Sequence, residues 1–355
     1  MEEVSYEKEH HVASLAVYCA SIFTKTAQKE ADIYTIVKPD ASPVTDADYA
    51  SQAILISAIR HHFPQDGFIA EESAIALRRD PGRARRVWEL VSTANLERHE
   101  NTSVALPESL EDMLAIIDIG GSGNGAKGKR TWIIDPIDGT ASFVQGQQFA
   151  IAVALIEAGE QRVGVVGYPN LIFDDPDISE EVVDEKGFGM MLSAVKGKGA
   201  YKRQMTKSSL LSPQKNALQP WRRMAQENIV FTESSESHVI DQDKHKTIRD
   251  ILLANPPLDI YSMQVKYAVL SIGTCNAMIR LPKDKTHRFP AWDHAGGTLI
   301  FEESGGRVTD LYGHPFIYAS GQTLAQNEGL VAAKAGLHTD LVRYARHIYE
   351  KDSED

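Results

Sequence analysis

Cysteine is scarce in this chain: Cys19 and Cys275 are the only two in 355 residues, and neither has a Cys-x-x-Cys partner. That removes the usual zinc patterns and a disulfide scaffold, and it suits a reducing compartment. Long apolar runs are lacking too, and no stretch reaches the ~18 consecutive apolar residues of a membrane span. Basic charge is in deficit, with 37 Lys and Arg against 49 Asp and Glu for a net charge of -12. Such a balance argues against a nucleic-acid polymer or an anionic membrane as partner, since both need concentrated basic surface. It does not exclude a small phosphorylated metabolite, because bound divalent ions invert the field of an acidic site. The start, Met1-Glu2-Glu3-Val4, is acidic and leads into an amphipathic pattern, unlike a secretory signal or a transit peptide. The expected location is the cytoplasm.

What is present is an ordinary globular composition, 43% hydrophobic and 24% charged, in a chain longer than one core usually organises. Two lobes are expected, an α+β lobe over 1–205 and an α/β lobe over 206–355. Val12, Leu15, Ala16, Cys19, Ile22 and Phe23 recur at helical spacing, and Thr45 to Arg60 reads as a second helix stopped near Phe63-Pro64. Phe149 to Ile156 and Val163 to Tyr168 are β-rich runs joined as a hairpin, which Phe188 to Val195 and the segment up to Tyr201 extend. The polar stretch Gln204 to Gln219 marks the boundary. Beyond it, the helix-like Lys266 to Ala277 and Asp293 to Glu303 alternate with the strand-like Leu330-Val331-Ala332.

The most informative segment is Trp132-Ile133-Ile134-Asp135-Pro136-Ile137-Asp138-Gly139-Thr140, which sets two carboxylates three residues apart at the end of an apolar strand. Thr45-Asp46-Ala47-Asp48, Glu71-Glu72-Ser73 and Trp292-Asp293-His294-Ala295 likewise put acids at element ends. Each has a plain structural reading: a capping box at Thr45-x-x-Asp48, solubilising charge at Glu71 and Glu72, a helix-dipole acid at Asp293. Gathered into one site, these carboxylates repel one another unless a hard cation such as Mg²⁺ or a shared proton intervenes. Two other motifs are discounted. Gly123-Asn124-Gly125-Ala126-Lys127-Gly128 fits G-x-G-x-x-G, but its strand follows instead of preceding it, so it reads as a loop. The arginines at 78, 79, 83, 85 and 86, within the insertion from Ala76 to Glu108, read as a solvated, mobile face.

Asp48, Glu71-Glu72-Ser73, Asp135-Pro136-Ile137-Asp138-Gly139-Thr140 and Trp292-Asp293 together resemble the signature of the inositol monophosphatase superfamily of Mg²⁺-dependent, lithium-sensitive phosphatases. Within it the chain is most similar to the fungal 3'(2'),5'-bisphosphate nucleotidases, which remove the 3'-phosphate of 3'-phosphoadenosine 5'-phosphate. The similarity runs nearly end to end, through Ser42-Pro43-Val44-Thr45, Ser109-Leu110-Glu111-Asp112, Ile116-Ile117-Asp118 and Leu281-Pro282. The resemblance implies an α/β fold of layered α-β-α-β-α type, the sugar-phosphatase-like fold. It also implies two or three Mg²⁺ ions, held by Glu71, Asp135, Asp138, Asp293 and the backbone carbonyl of Ile137. Asp48 and Thr140 correspond to the pair that orients and deprotonates the attacking water. The Gly139 and Thr140 amides are expected to bind phosphate at a helix start.

Outside the metal core the chain departs from the nucleotidase pattern. It has Gly139-Thr140-Ala141-Ser142-Phe143 and Gln145 where the relatives carry Gly-Thr-Lys-Gly-Phe and an Arg, and Met263-Gln264-Val265-Lys266-Tyr267 where they carry Ser-Gln-Ala-Lys-Tyr. Phe289-Pro290 replaces a Glu-Lys pair. A lost Lys and Arg delete charge-assisted contacts suited to a second phosphate. The resemblance still implies substrate contacts at Gly139, Thr140, His238, Lys266 and Tyr267, and Arg288, with Lys283 and Lys285 near it, is a candidate to replace the lost cations from a different loop. Three functions stand open: hydrolysis of the adenosine bisphosphate or a related nucleotide, hydrolysis of an inositol phosphate or another small phosphomonoester, and phosphometabolite binding without catalysis. A monomer or a homodimer serves any of them.

Overall fold

A computed structural model describes residues 5–29, 34–38, 42–94, 104–121, 130–172, 174, 177–207, 215–218 and 229–351. The glycine-rich motif 123–128 lies outside them. In the first part of the chain run α1 (Glu7–Lys29), β1 (Thr35–Val37), β2 (Pro43–Thr45), α2 (Asp46–His62), β3 (Gly67–Ala70), α3 (Ile75–Arg79), α4 (Pro81–Thr93) and α5 (Leu110–Gly121). Next come β4 (Thr131–Asp138), α6 (Thr140–Val144), β5 (Ala150–Glu157), β6 (Glu160–Tyr168), β7 (Met190–Val195), β8 (Ala200–Gln204) and β9 (Asn216–Ala217). Last are β10 (Thr232–Glu233), α7 (Gln242–Ile251), β11 (Leu258–Asp259), α8 (Met263–Ile272), β12 (Ala277–Arg280), α9 (Trp292–Glu303), β13 (Gly306–Thr309), β14 (Leu330–Lys334) and α10 (Ala335–Glu350).

A seven-stranded sheet in the order β3-β4-β5-β6-β7-β8-β9 is the central layer. Its middle strands are continuous apolar runs because both faces are covered. Ile151, Val153 and Leu155 of β5 join one core with α1 and α2, whereas Ala150, Ala152 and Ala154 join another with α8 and α9. Beyond α8 and α9 lies a second sheet, β12-β14-β13, whose outer face packs Ile279, Val331 and Ala333 against Ile248 of α7 and Leu341 and Ala345 of α10. The layering is thus helix, sheet, helix, sheet, helix, an α/β fold. Among the described residues no helix is long and apolar enough to cross a membrane.

Small residues set how closely the middle helices lie on the large sheet. A Cβ placed on Gly164 of β6 would come within 2.8 Å of the Gly296 carbonyl of α9, and one on Gly296 within 2.9 Å of Val166. Gly-to-Gly contact therefore seats α9 directly on the strands, with Asp293 in its first turn. The helix expected over Lys266 to Ala277 is shorter, because Gly273 at φ 101° closes α8 after Ile272 and Ala277 already opens β12. In the polar stretch after Gln204, β9 still pairs with Tyr201 and Lys202 of β8, so the large sheet continues to Ala217.

Reading 76–108 as a solvated, mobile face fails at Arg83. The helix α4 packs Ala84, Val87 and Val91 into a core with Tyr49, Ala50 and Ala53 of α2, and Arg83 on that side is 2% exposed. Its guanidinium donates to Asp46 in the first turn of α2 and to the Val44 carbonyl at 3.3 Å, and it stacks over the rings of Tyr34 and Tyr49. Sequence periodicity sees an Arg-rich helix, but only the fold shows that Asp46 waits opposite. Asp46 keeps a second partner in Arg86, whose Nε lies 3.2 Å from its other oxygen, so removing Arg83 costs about the 1.5–3 kcal/mol of a charge-assisted bond. Arg83→Ala is expected to lose that much in urea unfolding, whereas the exposed Arg79→Ala should change little; equal midpoints for the two variants would mean that the pair anchors nothing.

Candidate active site

Parallel pairing of β3 with β4 sets Ala70 level with Ile134, so the next residues, Glu71 just past the end of β3 and Asp135 within β4, lie side by side. Along β4 the pairing with β5 slips between Asp135 and Asp138, where three steps on β4 match two on β5. The extra residue is a β-bulge, and its effect is specific. Without it, carboxylates three apart would point to opposite faces; with it, Ile134 and Ile137 both enter the α1–α2 core, leaving Asp135 and Asp138 on the other side together. Ser51 of α2 donates to the Pro136 carbonyl at 2.8 Å and holds the bulge from behind. Asp293 arrives from α9, and one carboxylate oxygen from each of Asp135, Asp138 and Asp293 lies within 4.8 Å of the others.

Burial of these acids has electrostatic consequences. Asp135 is 1% exposed and its Oδ1 has no hydrogen-bond partner. Burial first, then the charges of Glu71, Asp138 and Asp293, push its carboxyl well above the ordinary range, and burial with the Asp138 and Glu71 charges does the same to Asp293. Glu72, buried behind them, rises to about 8 through burial and the Glu71 charge. An orphaned anionic oxygen amid like charges fits a hard cation with oxygen ligands, and Asp135, Asp138, Asp293, Glu71 and the Ile137 carbonyl are the donors at hand. Asp138 is steadied from another element, its Oδ2 accepting from Ser262 Oγ and the Gln264 amide at the start of α8. Lys38 reaches Glu71 at 2.6 Å and Glu72 at 2.8 Å. Burial alone would lower its ammonium, but the two glutamates hold it above its usual range.

Asp48 combines the two readings that the sequence left competing. Its Oδ2 accepts from the Thr45 amide at 2.7 Å while Thr45 Oγ1 accepts from the Asp48 amide at 3.3 Å, a complete capping box at the start of α2. Its Oδ1 accepts from Thr140 Oγ1 at 3.1 Å. That hydroxyl also lies 3.1 Å from the Ile137 carbonyl, the strand-end oxygen beside the acidic cluster. Burial, with the Glu71 charge adding to it, lifts Asp48 to about 7. Gly139, between Asp138 and Thr140, takes φ 88°, and a Cβ there would meet Ser262 Cβ at 2.9 Å. Only glycine makes this turn against α8.

The sequence profile of the inositol monophosphatase family matches residues 8–348. The chain belongs to the inositol monophosphatase family. With it, the chain falls among the phosphoric monoester hydrolases. It is 38% identical over 353 residues to the 3'(2'),5'-bisphosphate nucleotidase of Emericella nidulans, covering 97% of this chain and 99% of that one. The 3'(2'),5'-bisphosphate nucleotidase of Schizosaccharomyces pombe is 33% identical over 357 residues, 98% of each chain. Among solved structures, the IMPase of Thermotoga maritima superposes with a TM-score of 0.62 at 20% identity, covering 97% of this chain and 99% of that one. That likeness shows the family fold.

The candidate substrate contacts scatter more widely than the acids. Lys266 is 1% exposed and donates to Ser234 Oγ at 2.7 Å and the Tyr261 carbonyl at 2.8 Å; burial and the neighbouring Arg280 bring its ammonium down to about 7. Tyr267 lies in the core with its hydroxyl 2.9 Å from His294 Nδ1. His238 is exposed on the turn before α7, and Arg288 spends its guanidinium on the carbonyls of Lys285, His287 and Ala325. Arg280 was not singled out by sequence reasoning, yet it ends β12 beside the acids, and its buried Nε has no partner. A lone arginine closing the apolar Ala277-Met278-Ile279, just before the quoted Leu281-Pro282, is the signal that marks it.

Carboxylates raised by burial hold protons at neutral pH that a cation must displace. The sign follows. With folded pKa values above the unfolded ones, this cluster's contribution to the stability of the metal-free protein is lost as pH rises from the ordinary carboxylate range through about 7 for Asp48 and about 8 for Glu72. Mg²⁺ is expected to raise the melting temperature more at pH 8 than at pH 6, and calorimetry in buffers of different ionisation enthalpy should show proton release. Asp135→Asn should melt higher than the native chain in chelator and respond weakly to Mg²⁺; an undiminished response would remove Asp135 from the ligand set.

Proposed function

We propose that the protein is a Mg²⁺-dependent, lithium-sensitive phosphomonoesterase that removes the 3'-phosphate of 3'-phosphoadenosine 5'-phosphate or a related nucleotide. The observation that carries the catalytic part is the Thr140 to Asp48 hydrogen bond of 3.1 Å beside three carboxylates whose oxygens converge within 4.8 Å. Glu71, Asp135, Asp138, Asp293 and the Ile137 carbonyl would hold two or three Mg²⁺ ions. When bound, these supply Lewis-acid polarisation of the phosphoryl group and a water of lowered pKa. The chain's own residues handle the proton. Thr140 Oγ1 takes a proton from the attacking water as it passes its own to Asp48 Oδ1, and Thr45 fixes the other oxygen so that the carboxylate cannot turn away. A base lifted toward neutrality by burial suits that transfer. The amides of Gly139 and Thr140, at the turn into α6, are proposed to face the phosphate.

The nucleotide part rests on the names of the relatives and on two basic side chains next to the cleft, buried Lys266 and half-buried Arg280. Lys266 and Arg280 line one small cavity with Ser234, and Arg280 feels the charges of Asp293 and Asp138. They supply a positive field for a second phosphate, which the positions of Ala141 and exposed Gln145 on and just after α6 do not. The absence of that Lys and Arg favours, as a second reading, a monophosphate such as an inositol phosphate. A binder without catalysis is the remaining alternative. Neither a polymeric nucleic acid nor a membrane has a place in this scheme.

Asp48→Asn and Thr140→Val are each expected to lower kcat by about 10²–10⁴ with little change in KM, the usual effect of removing a general base or its relay. A variant that loses only affinity would assign the pair to binding. Arg280→Gln should raise KM for the adenosine bisphosphate about tenfold or more while sparing a sugar monophosphate, as expected for one charge-assisted contact. Equal losses on both substrates would point to the monophosphate reading.

A further inference from the structure

Tyr261 lies in the short connection between β11 and α8, next to the acidic cleft, and is 45% exposed. An aromatic side chain open to solvent is ordinary by itself. This one has its backbone tied on both sides. Its amide donates to Glu180 Oε2 at 3.3 Å, and its carbonyl accepts from Lys266 Nζ at 2.8 Å. The next residue, Ser262, donates to Asp138 Oδ2. Partial burial, then the charges of Asp138 and Asp293, raise the Tyr261 phenol, which places its hydroxyl end within electrostatic reach of both acids.

Glu180 comes from the segment between β6 and β7, and its other oxygen accepts from Ser142 Oγ of α6. The carboxylate therefore joins α6, which follows the Asp138-Gly139-Thr140 turn, to the backbone that carries Tyr261. Ser142 stands where the nucleotidase pattern has glycine, and glycine has no hydroxyl to donate, so the clasp is a feature of this chain and not of that pattern. Val144, two residues after Ser142, and Val182, two after Glu180, are exposed as well. A ring on a backbone already fixed loses little freedom when a second group lies against it. Its flat apolar face suits another planar aromatic group, which every nucleobase offers and a polyol does not.

We propose that Tyr261 is a specificity-determining residue of the acidic cleft, the face against which the base of a nucleotide substrate stacks, with Glu180 as its positioning residue. The assignment rests on the nucleotide reading of the site. The test follows hydrolysis by the full chain with Mg²⁺ on two substrates, 3'-phosphoadenosine 5'-phosphate and the same sugar bisphosphate with a methoxy group in place of the base. Tyr261→Ala should raise KM for the nucleotide at least about fivefold, the low end of what one base-aromatic stack contributes, with kcat little changed and both constants for the base-free substrate at native values. Tyr261→Phe should behave as the native chain, because the ring and not the hydroxyl makes the contact. Glu180→Ala, which frees the Tyr261 amide, should raise KM for the nucleotide alone. Equal losses on both substrates would make Tyr261 a support for Asp138 and overturn the proposal, as would an unchanged KM for the nucleotide. Should Tyr261→Ala fail to fold, Tyr261→Leu keeps the bulk without the aromatic face, and native behaviour in that variant would overturn the proposal equally. Failure of the nucleotide reading looks different: the native chain would then cleave an inositol phosphate and leave the nucleotide intact, which removes the stacking role with it.

Discussion

Mutual repulsion among carboxylates that the backbone forces together is the constraint around which this protein is organised. No acid in the cluster is there by its own preference. The register of β3 on β4 brings Glu71 beside Asp135, the bulge turns Asp138 to the same face, and the close seating of α9 on Gly164 delivers Asp293. Three separate elements thus spend packing stability to hold like charges at one point, a cost that structured sites impose on the rest of a fold. Lys38, Ser262 and the amide of Gln264 moderate the repulsion without filling the place of a cation. What the fold stores, a metal releases.

The site also depends on how the start of α8 meets the large sheet. Asp138 belongs to the large sheet, but its oxygen is held by the start of α8, and the glycine after it leaves no room for a Cβ against Ser262. One helix holds Asp138 at its start and carries Lys266 beside Arg280 a turn later. Met263 and Val265, where this chain departs from the nucleotidase pattern, are buried in that same helix.

Much of this was legible in the sequence, though unevenly. The strand-to-acid junctions of β3 and β4 and the helix starts at Thr45 and Trp292 were visible because an apolar run that stops at a carboxylate is a local pattern. The bulge was not, since nothing in Asp135-Pro136-Ile137-Asp138 says which partner strand will lag behind. Charged residues inside the fold were the hardest to read. Arg83 looked like surface because its helix is rich in arginine, Lys266 and Tyr267 looked like substrate contacts because of the motif they sit in, and Arg280 drew no attention. Arg83, Lys266 and Tyr267 are buried against partners distant in sequence, Asp46, Ser234 and His294, so only tertiary placement reveals their surroundings.

Asp48 divides its two oxygens between holding the first turn of α2 and accepting a hydrogen bond from Thr140, the contact on which the proposed catalysis rests. Such a residue is under two selections at once. A lineage that abandoned catalysis would still keep the aspartate for its helix, while the threonine, whose side chain caps nothing, would be free to drift. Along the family tree, then, an aspartate retained without its threonine would mark a descendant that has kept the architecture and given up the reaction.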